Sequence, residues 1–121
     1  MSSSGPSVLV VDDDADLRQT LVATLDEAGY DVREAGAGRA AIDELRRAPP
    51  DLVLLDLMMP GGNGWDVLEA IRGDAKLRAV PVVVVSAYAS SAPEGARALV
   101  RKPMGRMELL VAVASHVREP M

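Results

Sequence analysis

The stretch that most constrains the fold runs from Asp51 to Pro60 and has the sequence DLVLLDLMMP. Four consecutive apolar residues, Leu52 to Leu55, are followed by one acid, Asp56. A short apolar run bounded by turn residues is typical of a strand that is buried on both faces. An acid at the end of such a strand is costly to bury unless it pairs with a cation or binds a metal. We therefore expect Asp56 at the mouth of a sheet, either as a functional carboxylate or as a turn-capping residue.

Composition and charge set the broad class of the protein. Its 121 residues suit one domain, which we expect at 7–118 with a flexible lead-in at 1–6 and a tail at 119–121. The absence of cysteine excludes disulfides and thiolate metal sites. A formal charge of −5 argues against direct nucleic-acid binding, because phosphate recognition needs clustered cations. Without a membrane-length apolar run or the regions of a signal peptide, we expect a cytoplasmic protein with no membrane partner.

Strand and helix patterns alternate along the chain. Strands are predicted at 8–11, 30–35, 52–55, 81–85 and 98–100. Strands that alternate with helices predict an α/β fold, here a doubly wound parallel sheet of five strands with helices on both faces. Residues 87–97 are small, polar and interrupted by Pro93 and Gly95, so we expect at most a turn or two of helix there.

Each predicted helix has an apolar face that should pack on the sheet. The faces are Leu17, Leu21, Val22, Leu25 and Ala28 in the first helix, Ala41, Ile42 and Leu45 in the second, Trp65, Leu68 and Ile71 in the third, and Met107, Leu110, Val111, Ala114 and Val117 in the last. Asp14 or Asp16 is expected to cap the first helix and Asn63 the third, while Gly29 ends the first helix.

Polar residues follow four of the predicted strands at the same edge of the sheet, where ligands of such folds bind. They are Asp12 and Asp13, Asp56, Ser86 and Lys102. Three converging carboxylates repel one another, which favours a hard divalent cation such as Mg²⁺, and no His or Cys lies near them to suggest zinc. Lys102 and Ser86 could hold a tetrahedral anion beside the metal, and a carboxylate can act as a nucleophile that forms an acyl phosphate. Each residue alone also has an ordinary structural explanation as a cap, a strand-end hydrogen bonder or a solvated lysine.

Four segments together resemble the receiver domain of bacterial two-component response regulators. They are VLVVDDD, LVLLDLMMPGGNGWDVL, PVVVVSA and KP, and the resemblance covers residues 7–118. It implies a flavodoxin-like sheet of strand order 2-1-3-4-5. It also implies a signalling domain that is not a turnover enzyme, and in which Asp56 accepts a phosphoryl group from the phosphohistidine of a histidine kinase or phosphotransfer domain.

The same resemblance implies roles for the other site residues. Asp13, Asp56 and the main-chain carbonyl of Met58 would bind Mg²⁺ directly, with Mn²⁺ as a substitute, and Asp12 would act through a bound water. Lys102 would pair with the phosphoryl oxygens. The hydroxyl of Ser86 would swing to hydrogen-bond them and report the change outward. The bond between Lys102 and Pro103 would be cis.

The chain departs from the family pattern at two places. Leu99 stands three residues before Lys102, where the family usually carries an aromatic switch residue. The stretch between Ser86 and Lys102 is shorter than the family norm by about one and a half helical turns. We therefore expect the fourth helix to be truncated or replaced by a loop. The phosphorylation chemistry should carry over, whereas the usual output and dimerisation surface should not.

Three other functions compete with a phosphoacceptor domain. A receiver-like interaction module that signals without phosphorylation would suit Leu99 and the short 87–97 segment. A phosphatase with an aspartate nucleophile is disfavoured, because Met58 stands where such enzymes place a second Asp. A flavin-binding relative is disfavoured because Asp12, Asp13 and Asp14 would repel its phosphate. The sequence does not name the output partner of the domain.

Overall fold

The computed structural model describes residues 5–59, 64–87 and 90–118. The strands in these ranges are β1 (Ser7–Val11), β2 (Asp31–Ala35), β3 (Leu52–Asp56), β4 (Val82–Ser86) and β5 (Ala98–Arg101). The helices are α1 (Ala15–Glu27), α2 (Gly38–Arg47), α3 (Gly64–Arg72) and α4 (Arg106–His116). All strand pairs are parallel and the order is β2-β1-β3-β4-β5, which confirms the predicted doubly wound sheet. None of the helices in the described ranges is long and apolar enough to cross a membrane.

The three inner strands are buried because helices cover both faces of the sheet. Side chains alternate between the faces along each strand. Leu9 and Leu55 belong to a hydrophobic cluster that includes residues of α2 and α3. Val8 and Leu54 belong to a second cluster that includes residues of α1 and α4. Both clusters are made mainly of Leu and Val, in a chain that contains no Phe.

Helix α1 begins and ends largely as the sequence predicts. Asp14 is its N-cap, and its carboxylate accepts a hydrogen bond from the N–H of Leu17 at 3.1 Å. Gly29 follows the helix with φ of +98°, a conformation in which glycine replaces side-chain-bearing residues at helix ends. The expected inward position of Ala28 is wrong, because Ala28 is the C-cap residue and is exposed. The predicted cap Asn63 lies outside the described residues.

The predicted apolar faces of α3 and α4 are partly wrong. Helix α4 buries Leu109 and Val113, whereas Met107 is 70% and Val111 57% exposed. Helix α3 leaves Trp65 49% exposed and buries Val67, Leu68 and Ile71. Apolar residues occupy more than one side of α4, so spacing alone left two stripes that could meet the sheet, and packing selected the other one.

The connection from β4 to β5 contains no helix in its described part, residue 87 and residues 90–97. Turns shape it instead, with the N–H of Ala96 donating to the carbonyl of Pro93 at 3.0 Å. Arg72, at the end of α3, lies over Gly95 and pairs with Glu94 at 3.1 Å. Gly95 has φ of +95°, and a Cβ there would lie 2.6 Å from Cδ of Arg72. The short connection is therefore held against α3.

A polar cluster at the amino edge of the sheet joins three distant parts of the chain. One carboxylate oxygen of Asp51 accepts the N–H of Ser7 at 2.9 Å, and the other lies 3.5 Å from Nε of Arg118. The N–H of Arg118 also donates to the carbonyl of Asp51 at 3.1 Å. The segment that follows α4 is thus fixed beside the starts of β1 and β3.

Candidate functional site

The carboxyl edge of the sheet gathers all the residues predicted to follow its strands. Asp12 and Asp13 follow β1, Asp56 and Ser86 end β3 and β4, and Lys102 follows β5. Asp12, Asp56 and Ser86 are buried, whereas Asp13 is exposed. Parallel strands in matched register end at one edge, which is why positions far apart in the sequence meet here.

Lys102 lies between the two buried acids. Its Nζ is 3.3 Å from Oδ2 of Asp12 and 3.4 Å from Oδ2 of Asp56. The other oxygen of each carboxylate accepts a main-chain N–H two residues later, from Asp14 at 3.0 Å and from Met58 at 3.1 Å. Each carboxylate is therefore held at both oxygens, which fixes its orientation at the mouth of the site.

Burial and charge shift the titration of this group. Burial raises the pKa of Asp56, and the neighbouring charge of Asp12 raises it further. The N–H of Met58 and the cation of Lys102 lower that pKa but do not offset the rise. Burial lowers the pKa of Lys102, yet the two carboxylates outweigh burial and leave it above its ordinary value. Two buried carboxylates beside one lysine leave an excess of negative charge at this edge when both are ionised.

The acids form a donor set suited to a hard cation. Asp12, Asp13 and Asp56 each offer a carboxylate oxygen, and these atoms lie within 4.8 Å of one another. An all-oxygen set with excess negative charge matches Mg²⁺, which binds a few carboxylates and keeps several waters. The raised pKa of Asp56 is consistent with a site that a divalent cation would neutralise.

The other predicted site residues lie at the same edge. Ser86 is buried beside β3 and β5, and its carbonyl accepts the N–H of Lys102 at 3.1 Å. The Lys102–Pro103 peptide bond is cis. Leu99 is half-buried on β5 and packs on the cluster that includes α2 and α3. The side chain of Met58 is exposed.

Sequence reasoning missed two residues that shape the site. Arg18 donates through Nη1 to the carbonyl of Asp12 at 2.7 Å. Gly64 packs so closely on β3 that a Cβ there would lie 2.2 Å from the carbonyl oxygen of Asp56. The spacing of Gly64 after Asp56 gave no signal of this contact, and no sequence pattern singled out Arg18.

Comparison with known proteins gives the same family that the four sequence segments resemble. The family model described as the response regulator receiver domain matches residues 8–114. The DNA-binding response regulator MtrA of Mycobacterium tuberculosis is 37% identical over 124 residues, which span 98% of this chain and 53% of MtrA. The phosphate regulon transcriptional regulatory protein PhoB of Klebsiella pneumoniae is 31% identical over 92% of this chain and 51% of its own length. The chain thus spans about half the length of these curated relatives.

Solved structures agree with this comparison. The chemotaxis protein CheY4 of Vibrio cholerae has a TM-score of 0.86 and 28% identity, covering 94% of this chain and 100% of that one. A receiver domain protein from Methanospirillum hungatei has a TM-score of 0.81 and 31% identity, covering 92% of this chain and 93% of that one. The chain therefore belongs to the response regulator receiver domain family of two-component signalling.

Proposed function

We propose that Asp56 is the phosphoacceptor of a two-component phosphorelay, and that it takes its phosphoryl group from a phosphohistidine of a histidine kinase or phosphotransfer domain. The observation that carries the proposal is the buried Asp56 carboxylate, oriented by the N–H of Met58 and set 3.4 Å from Lys102. A fixed carboxylate beside a cation is arranged for attack on an incoming phosphoryl group.

The transfer exchanges one bond to phosphorus for another. An oxygen of Asp56 attacks the phosphorus, the P–N bond of the phosphohistidine breaks, and its electron pair stays on the imidazole. Lys102, whose pKa is raised, stays protonated and compensates the charge on the phosphoryl oxygens. Asp12, Asp13 and Asp56, with the carbonyl of Met58, would hold Mg²⁺, which supplies further charge neutralisation when bound.

The same residues suit a signalling domain and not a turnover enzyme. Two residues after Asp56, a phosphatase of this kind needs an acid that moves a proton. Met58 is there instead, and its exposed thioether cannot do so. We therefore expect one phosphoryl group per chain and slow loss of it, and we place the domain in the cytoplasm.

The conformational signal would start at Ser86 and Leu99. Ser86 is buried at the end of β4, the strand that pairs with the strand of Asp56. Its hydroxyl would turn toward the phosphoryl group once Asp56 carries one. Leu99 is half-buried on the following strand and could move when Ser86 does. The DNA binding named for the relative MtrA is not proposed for these residues, because the chain covers about half of MtrA and carries a net charge of −5.

Phosphorylation by a small donor tests this proposal. Incubation with acetyl phosphate and Mg²⁺ should add one phosphate per chain, seen by intact-protein mass spectrometry. Asp56→Asn should gain none, whereas Asp31→Asn, which neutralises an exposed acid of β2, should gain one. A wild-type chain that never gains phosphate, or an Asp56→Asn chain that gains it equally, would contradict the proposal. Phosphotransfer profiling against a set of histidine kinases would then identify the partner.

A further inference from the structure

Arg18 bridges the edge strand β2 and the acidic loop after β1. Its Nη1 donates to the main-chain carbonyl of Asp12 at 2.7 Å, and its Nε donates to Oε1 of Glu34 at 2.8 Å. The Arg18 side chain is 18% exposed and its bond to Asp12 is partly buried, whereas the side chain of Glu34 is 46% exposed. The two donors of one planar guanidinium have fixed directions, so they set the orientation of both partners, which the compact ammonium of a lysine does not.

The carbonyl that Arg18 binds belongs to the peptide that joins Asp12 to Asp13. The plane of that peptide sets the direction in which Asp13 leaves the backbone. The N–H of Asp12 is held by the carbonyl of Ala35 at 3.2 Å, and its side chain by Lys102. Arg18 adds a contact on the far side of Asp12, directly before Asp13.

Gly36 provides the space in which Arg18 lies. A Cβ at this position would be 2.9 Å from Nη1 of Arg18 and 3.4 Å from its Cζ. A methyl group there would displace the end of a flexible side chain and leave the backbone of β2 in place. Gly36 therefore offers a way to move the guanidinium without removing it.

We propose that Arg18 is a positioning residue for the acids of the cation site, an inference that rests on the proposed function. Mg²⁺ demands near-ideal octahedral geometry, so a small rotation of the Asp12–Asp13 peptide lowers its affinity. Partners behind the ligands typically change metal affinity by about 10–100-fold. Because Arg18 holds the peptide and not a carboxylate, we expect an effect of about tenfold, at the lower end of that range.

Titration calorimetry of Mg²⁺ into the unphosphorylated protein measures this effect. Arg18→Gln should bind Mg²⁺ about tenfold more weakly, with Arg18→Lys in between. Phosphorylation of Arg18→Gln by acetyl phosphate should need more Mg²⁺ to reach half its maximal rate, but at saturating Mg²⁺ the rate should equal that of the wild type. A merely structural role would lower stability without this shift. Arg39→Gln, which removes an exposed arginine of α2, is the matched control and should leave both measurements unchanged.

Gly36→Ala is an independent test if Arg18→Gln does not fold. It should weaken Mg²⁺ binding in the wild-type background. Where Arg18→Gln does fold, Gly36→Ala should have no further effect in it, because the methyl group acts through Arg18. Unchanged Mg²⁺ affinity in every single variant that folds, beside a wild type that binds Mg²⁺ and accepts phosphate, would overturn the role of Arg18 alone. A wild type that does neither would overturn the proposed function, and this inference with it.

Discussion

Replacing Asp56 by Asn should make the protein more stable at pH 7 when divalent cations are absent. Asn has nearly the same shape, and its Oδ1 can still accept the N–H of Met58, which lies 3.1 Å from the Asp56 oxygen. The substitution therefore removes a buried charge while the packing stays intact. An acid whose pKa is raised by burial is a cost to the folded state at neutral pH.

Three electrostatic contributions set the size of the gain. Loss of the Lys102 partner at 3.4 Å costs about 5 kcal/mol at an effective dielectric constant of about 20. Relief of repulsion from Asp12, whose oxygen lies within 4.8 Å, returns about 3.5 kcal/mol. Relief of the desolvation of a carboxylate that is 4% exposed returns several kcal/mol more. The net gain is on the order of 2 kcal/mol, in the direction given by the raised pKa.

The pH dependence of the gain follows from the same shift. Above its raised folded-state pKa, Asp56 is charged in both states and its full cost is present. Between that pKa and the lower pKa of the unfolded chain, the folded state binds more protons, so wild-type stability rises as pH falls. Below the unfolded pKa the carboxyl is neutral in both states, and the advantage of Asp56→Asn should disappear.

Urea denaturation in EDTA, followed by circular dichroism at several pH values, measures the difference. Asp31→Asn removes one exposed charge and should change the free energy of unfolding little. Excess Mg²⁺ should stabilise the wild type more than Asp56→Asn, because a ligand that binds the folded state more tightly adds more stability, with the logarithm of its affinity. If Asp56→Asn is less stable than the wild type in EDTA at pH 7, the description of a cation-poor buried site is wrong.

Three further substitutions test other contacts by urea denaturation. Lys102→Met leaves two buried acids without their cation and should cost about 3 kcal/mol at pH 7, with the loss shrinking in acid; an unchanged stability would contradict the pairing. Gly64→Ala drives a methyl group into the β3 backbone and should cost about 3 kcal/mol, whereas Gly73→Ala, whose nearest contact would be 3.4 Å, should have little effect. Arg118→Ala removes the side-chain ion pair with Asp51 and the hydrogen bond from Nη2 to the carbonyl of Pro50, keeps the main-chain hydrogen bond to Asp51, and should cost about 1 kcal/mol; no loss would mean that solvent screens the pair.

The strands and the main site were predictable because they depend on local patterns. Buried parallel strands are short apolar runs. The residue after each run lies at the carboxyl edge of the sheet, however the helices pack on its faces. Asp12, Asp56, Ser86 and Lys102 could therefore be brought together before any contact was known. The alternation of strands and helices predicted the doubly wound sheet, and the resemblance to the receiver family supplied its strand order. The small, polar residues of 87–97 predicted at most a turn or two of helix, and its described part has none.

The remaining features depend on choices that spacing does not determine. Helix α4 has apolar residues on several sides, and only packing against β5 and β3 decides that Leu109 and Val113 face inward. Trp65 was assigned to the inward face of α3 by its spacing from Leu68 and Ile71, but its place at the start of the helix leaves it 49% exposed. Arg18 meets Glu34 across 16 residues through the end of a flexible side chain, a contact with no pattern in the sequence.

The polar cluster around Asp51 has a consequence for chain connectivity. It brings Ser7 and Arg118 together at the edge of the sheet opposite Lys102, with Asp51 bonded to both. A short linker could therefore join these two positions without crossing the site. The exposed bend at residues 90–91 would then serve as the new pair of ends, since the described part of that connection carries no helix. Such a circularly permuted chain would keep every pair of neighbouring strands in the sheet. The order of the strands along the chain could therefore change without changing the spatial arrangement that holds Asp56.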